Sequence, residues 1–134
     1  MKIMLCLISI AVALSISGCE KVSENAAKLT VDFSWQGMEP CGWGNPQINF
    51  SGIPEHTKYL QLHMYDHVYR HDHGKVELPY TGKDLIDRNQ FKDIQGPCPP
   101  GSPGEYEITI KALDENDIVI GIGSKTRFFP EEEK

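Results

Sequence analysis

The chain has 134 residues, of which 40% are hydrophobic and 24% charged, with 13 basic against 19 acidic side chains and a formal net charge of −6. That length holds one small domain and leaves no room for a second. An acidic chain without a basic cluster argues against a nucleic-acid partner and against docking on an anionic membrane face.

The first residues read as a targeting segment rather than as part of the fold. Lys2 forms a short basic head, residues 3–14 are apolar, and Ile16-Ser17-Gly18-Cys19 sets small residues before a cysteine. The apolar run of about 16 residues is shorter than the roughly 20 needed to span a bilayer. The pattern resembles the lipobox of bacterial lipoproteins, which implies removal of residues 1–18 as a signal peptide and acylation of Cys19. Two or three acyl chains hold a protein stably on a membrane where a single chain is marginal. Removal takes Lys2 and no acid, so the side-chain balance moves from 13 and 19 to 12 and 19, a net charge of −7. Residues 19–27, with Ser23, Glu24, Asn25, Ala26 and Ala27, are expected to form the lipidated N-terminus and a polar linker. The β domain is then expected over residues 28–130, with an acidic tail at 131–134. Glu20 follows the anchor where enteric bacteria use aspartate as a retention signal, and this resemblance points to the cell envelope, at the outer membrane.

Leu29, Val31, Phe33 and Trp35 alternate with polar residues, the period-two signature of a strand with one buried face. Residues 36–46 carry glycines, prolines and Cys41 and read as an irregular loop, followed by a short extended piece over 47–50. Leu60, Leu62 and Met64 mark a second strand that ends at Asp66, and a histidine-rich loop with His67, His71 and His73 follows. Residues 76–78 read as a short strand, and residues 84–91 as a helical turn or two, the minor α content of an otherwise all-β chain. The run Gly96-Pro97-Cys98-Pro99-Pro100-Gly101 cannot be helix or strand interior, because proline fixes φ and removes a backbone donor. It is a stiff loop, suited to the rim of a binding pocket. Residues 105–113 alternate again, and Glu115-Asn116-Asp117 offers turn chemistry into a strand over 118–122, with a last short strand over 125–129. Many short strands joined by Gly- and Pro-rich connections predict a β-sandwich.

Four cysteines separate by fate. Cys6 leaves with the signal peptide and Cys19 takes lipid, so Cys41 and Cys98 remain as a pair in an oxidising compartment, where a disulfide is the default. Closing a loop of nearly 60 residues is worth roughly 3 to 5 kcal/mol by chain entropy. The alternative, two free thiols beside a metal or redox centre, lacks a Cys-x-x-Cys spacing.

The proline loop, leading into Tyr106 and a strand that ends Ala112-Leu113-Asp114, resembles the phosphatidylethanolamine-binding protein family, which includes the Raf kinase inhibitor-like proteins. Pro40-Cys41-Gly42 with Asn45-Pro46, the turn Gly52-Ile53-Pro54, and the strand ending in Asp66 agree with bacterial members in order and spacing. The resemblance implies a β-sandwich of that type. It also implies a shallow pocket for a small anionic or polar ligand, built from Asp66, His73, Pro97, Cys98, Pro99, Pro100 and Tyr106. Three features depart from the family. His67 and Val68 stand where it has a proline and a second aspartate, Gly104-Glu105 stands before Tyr106 where it has His-Arg, and the chain ends soon after Phe129 without the C-terminal helix of eukaryotic members. Replacing His-Arg by Gly-Glu removes two phosphate donors and adds a repelling charge, which leaves His73, His67 and the amides of residues 101–104 as donors.

The histidines beside Asp66 also suggest a metal site at His67, His71 and His73, set against a solvated loop in which one histidine bonds to Asp66; no metal-binding frame such as His-Glu-x-x-His supports it. His56 and His63 read as surface or strand-face residues. Neither a serine nor a free cysteine sits in a nucleophile elbow, so no enzyme and no cofactor are expected. Trp35 is in strand phase and reads as core; Trp43, between two glycines, reads as core or as a pocket wall. Two functions follow: a lipid-anchored binder of a small ligand, or a module that presents the same loops to an envelope protein partner. A metal-binding lipoprotein is a third.

Overall fold

The computed structural model describes residues 19–131; residues 1–18, expected as a signal peptide, and the end of the acidic tail, residues 132–134, lie outside the described residues. Eight strands run in chain order: β1 Val22–Lys28, β2 Thr30–Ser34, β3 Gln47–Ser51, β4 Tyr59–Asp66, β5 His71–Pro79, β6 Leu85–Ile86, β7 Gly104–Leu113 and β8 Val119–Phe129. They form a five-stranded sheet, β1-β8-β7-β4-β5, packed on a three-stranded sheet, β2-β3-β6. All pairings are antiparallel except β1 with β8.

The core follows from the alternation. Leu60, Leu62 and Met64 of β4 and Tyr106, Ile108 and Ile110 of β7 point inward from the large sheet, against Val31, Phe33, Ile48 and Phe50 of the small one. Trp35 is in the core as expected: its ring meets Phe33, Tyr106 and Phe129 edge-on, and its indole N–H donates to the Phe128 carbonyl at 2.9 Å. The chain passes from one sheet to the other at Leu29, whose N–H bonds to the Ile122 carbonyl at 2.9 Å. A side chain on Gly123 would collide with the Leu29 carbonyl, so β8 carries glycine where the crossing occurs.

Four sequence expectations are corrected. Residues 22–27, expected as part of a linker, belong to β1, because β8 offers a free edge against which Val22, Ala27 and Lys28 pair in parallel. The histidine loop is shorter than expected: only residues 67–70 turn, and His71 and His73 already lie on β5, which is nine residues long. No helix occurs among the described residues; the span 84–91 gives the two-residue β6 and turns held by Asn45. The last two short strands are one eleven-residue strand, β8, that pairs with the whole of β7. The turn between β7 and β8 is as expected, capped by Asp114, whose Oδ1 accepts the amides of Asn116 and Ile118 at 2.8 and 3.0 Å.

Candidate ligand site

The inward phase that buries Leu62 and Met64 continues to Asp66, the last residue of β4. Asp66 is therefore only 2% exposed, among core neighbours. It is held there by its own turn: Asp66 Oδ1 accepts the amides of Val68 at 2.9 Å and Tyr69 at 3.2 Å, an Asx arrangement that starts the β4–β5 connection. Oδ2 faces Gly104 and Tyr106; a side chain on Gly104 would lie 2.6 Å from Oδ2 and 2.7 Å from the Tyr106 hydroxyl. Glycine stands there because nothing larger fits.

His73 reaches the same floor through an irregularity. Met64 pairs with Gly74 and Tyr65 with Asp72, so His73 is the extra residue of a β-bulge on β5. The bulge turns its ring inward to 5% exposure, edge-on to Tyr106 at 5.2 Å between ring centres. Nδ1 donates to the Gln95 carbonyl at 2.9 Å. In the neutral ring this leaves Nε2 as an unprotonated acceptor. Burial pushes the imidazole below its ordinary ionisation range, against the opposing pull of the Gln95 carbonyl, and the charge of neighbouring His71 lowers it further.

The third wall is the proline loop. Segment 41–46 is zipped to residues 89–97 by the bonds Cys41 N–Pro97 O (2.9 Å), Gly96 N–Gly42 O (2.8 Å) and Gly44 N–Ile94 O (2.7 Å). Cys41 and Cys98 are joined by a disulfide, with their Cα atoms 4.3 Å apart, as expected from the sequence. This frame places Gln95, Cys98 and Pro100 opposite Asp66 and His73. Together with Tyr69 and His71 they line a cleft of about 280 Å³.

Of the predicted site residues, Asp66, His73, Cys98 and Pro100 converge on this cleft. Pro97 is buried behind it as part of the frame, and Pro99 is not among the lining residues. Tyr106 lies beneath the floor, fully buried. Its hydroxyl rests against the Asp66 carboxylate without completing a hydrogen bond, and burial first, then that carboxylate, push its ionisation well above the phenol range. Of the metal candidates, His67 lies apart, bonded to Glu107 at 3.4 Å, while His71 stays beside His73, with ring centres 4.8 Å apart, and bonds to the Gln95 side chain at 2.9 Å. No group of three potential metal ligands occurs among the described residues. Trp43, expected in the core or in a pocket wall, is 63% exposed and forms only an isolated bridge with Gln95.

Tyr69 and Gln95 were not legible as site residues. Tyr69 stands in a turn without periodicity, and Gln95 meets His73 across 22 residues of sequence. A second depression of about 350 Å³ opens between Leu78 and Leu85. Its polar side chains are solvent-facing and already paired, Lys83 with Asp87 at 2.7 Å and Tyr80 with neighbouring Asp84 at 2.6 Å, so no buried polar group converges there.

No protein-family model matches the chain, and no curated protein sequence matches it. Solved structures do. A phosphatidylethanolamine-binding protein homologue from Chlamydia trachomatis superposes with a TM-score of 0.55 at 16% identity, over 81% of this chain and 99% of its own. YbcL of Escherichia coli, described as a new member of the mammalian phosphatidylethanolamine-binding protein family, gives 0.53 at 19% identity, over 85% of this chain and 92% of its own. The fold is that of the phosphatidylethanolamine-binding proteins. Within that fold the cleft of this chain is floored by one carboxylate and one neutral histidine, and neither lysine nor arginine lines it.

Proposed function

We propose that the chain is an envelope lipoprotein of the phosphatidylethanolamine-binding type, anchored through acylated Cys19 at the outer membrane, whose cleft binds a small polar ligand without catalysis. The observation that carries the binding role is the convergence of Asp66 and His73, both buried and each held by the backbone, on one open cleft. Buried polar groups are costly unless partnered, and a site that keeps two of them beside open space is matched to a ligand.

The two buried polar groups of the cleft are left with acceptors. Asp66 Oδ1 and His73 Nδ1 are spent on backbone groups, which leaves Oδ2 and Nε2 as acceptors, while the donor Tyr69 O–H is spent on the Ser102 carbonyl at 2.8 Å. The amide of Ser102, one of the donors expected for an anion, bonds back to the Tyr69 oxygen at 3.3 Å, and Pro103 has none. The balance therefore favours a donor-bearing ligand, such as an amine or a hydroxyl compound, over phosphate. Catalysis lacks support, since Cys98 is bridged and Ser102 is not among the lining residues.

A protein-contact role for the same end of the domain draws on Val68, Tyr69 and Phe128, which are exposed there. The two readings separate in an NMR titration of the labelled domain with propylamine, glycerol and inorganic phosphate. The ligand reading expects the amines or hydroxyl compounds to move the signals of Asp66, Tyr69, His73 and Gln95, and Asp66→Asn to weaken amine binding by about tenfold or more, as charge-assisted bonds require. Stronger shifts with phosphate than with propylamine would overturn it.

A further inference from the structure

The anchor and the cleft lie at opposite ends of the large sheet. β1 begins where Val22 pairs with Val119, beside Leu113 and Tyr59 in the neighbouring strands. The cleft lies where β4 ends, at the pair Asp66 and Tyr106. Seven residue steps along β4 separate the two levels, about 24 Å at the rise of an antiparallel strand.

The chain between anchor and domain is docked almost to the acyl site. Both oxygens of Glu20 meet Lys111 Nζ at 2.8 Å, and the Lys21 carbonyl accepts the Val119 amide at 2.9 Å. Lys111 is only 18% exposed, so this ion pair is more sheltered than an ordinary surface pair. No flexible spacer therefore remains after Cys19. A domain on a long linker tumbles over the membrane, whereas one docked at its first residues keeps the end nearest the acyl chains against the bilayer. Its net charge of −7 after processing also opposes lying flat on an anionic surface.

We infer that the acylated protein stands on the β7–β8 turn end of its large sheet with the cleft turned away from its own bilayer, so that the cleft takes its ligand from the aqueous phase and not from the lipids that hold the protein. This rests on acylation of Cys19, and the test separates the two. The full chain is exported and acylated in a bacterial host, and mass spectrometry establishes the lipid on Cys19. Single-cysteine dyes are then placed at Ser102→Cys, beside the cleft, and at Asn116→Cys, in the β7–β8 turn; both positions are exposed. Energy transfer to acceptor lipids in phosphatidylcholine vesicles reads the height of each dye.

The expected result is a Ser102 dye about 24 Å farther from the surface than the Asn116 dye. Insertion of twelve Gly/Ser residues between Cys19 and Glu20 spans roughly 19 Å on average and should make the two heights converge. An unacylated Cys19 overturns the anchor and the orientation together. With Cys19 acylated, equal heights, a nearer Ser102 dye, or an inserted variant that keeps the full difference overturns the orientation alone.

Discussion

Tyr106→Phe removes one oxygen from the floor beneath the cleft and should make the protein more stable. The ring is fully buried, packed against Trp35 and His73, and its hydroxyl finds no hydrogen-bond partner. An orphaned buried hydroxyl carries a desolvation cost of about 1 to 3 kcal/mol, and phenylalanine keeps the ring and its edge-on contacts. The lower end applies because the hydroxyl lies beside the Asp66 carboxylate and gains some electrostatic relief. A stabilisation of about 1 kcal/mol in a domain of this size raises Tm by about 4 °C. Thermal unfolding followed by circular dichroism at neutral pH, with the disulfide intact, measures it, and urea unfolding gives the free energy. A loss of 1 kcal/mol or more would refute the reasoning, because it would mean that the hydroxyl donates a full hydrogen bond to Asp66.

Reduction of the Cys41–Cys98 bridge, or its replacement by two serines, should cost about 4 kcal/mol by the chain-entropy estimate for a separation of 57 residues; a fall below 1 kcal/mol in urea unfolding would contradict it. His73 ionises below the ordinary imidazole value of 6.5, so the unfolded chain takes up the proton first as pH falls. Its contribution is complete above about 6.5 and is lost as pH falls through that value towards the lower folded one, and His73→Asn should flatten this part of the stability profile. An unchanged slope would show that the ring titrates normally. Gly104→Ala places a carbon against Asp66 Oδ2 and the Tyr106 ring, and a cost of about 1 to 3 kcal/mol is expected; a neutral result would mean that the floor yields.

Strands β2, β4 and β7 were legible because each has one buried face and the period of two follows from that. The pairing of Cys41 with Cys98 was legible from compartment and elimination. β1 was not, since its residues alternate weakly and its stability comes from the free edge of β8, a partner nearly a hundred residues away. The sequence shows His73 as a candidate but sets it in a loop. The bulge that turns it inward depends on register against β4, which composition does not encode. The resemblance implies ligand contact for Tyr106, whereas its inward phase in β7, shared with Ile108 and Ile110, sets it in the core.

The part of His73 as an acceptor beside Asp66 rests on the tautomer of its ring, and long-range ¹⁵N NMR of His73 at neutral pH reads it without any ligand. The geometry predicts a neutral imidazole protonated at Nδ1, bonded to the Gln95 carbonyl, with the lone pair on Nε2. A charged ring, or a proton on Nε2, would make His73 a donor and would contradict the assignment of a donor-bearing ligand.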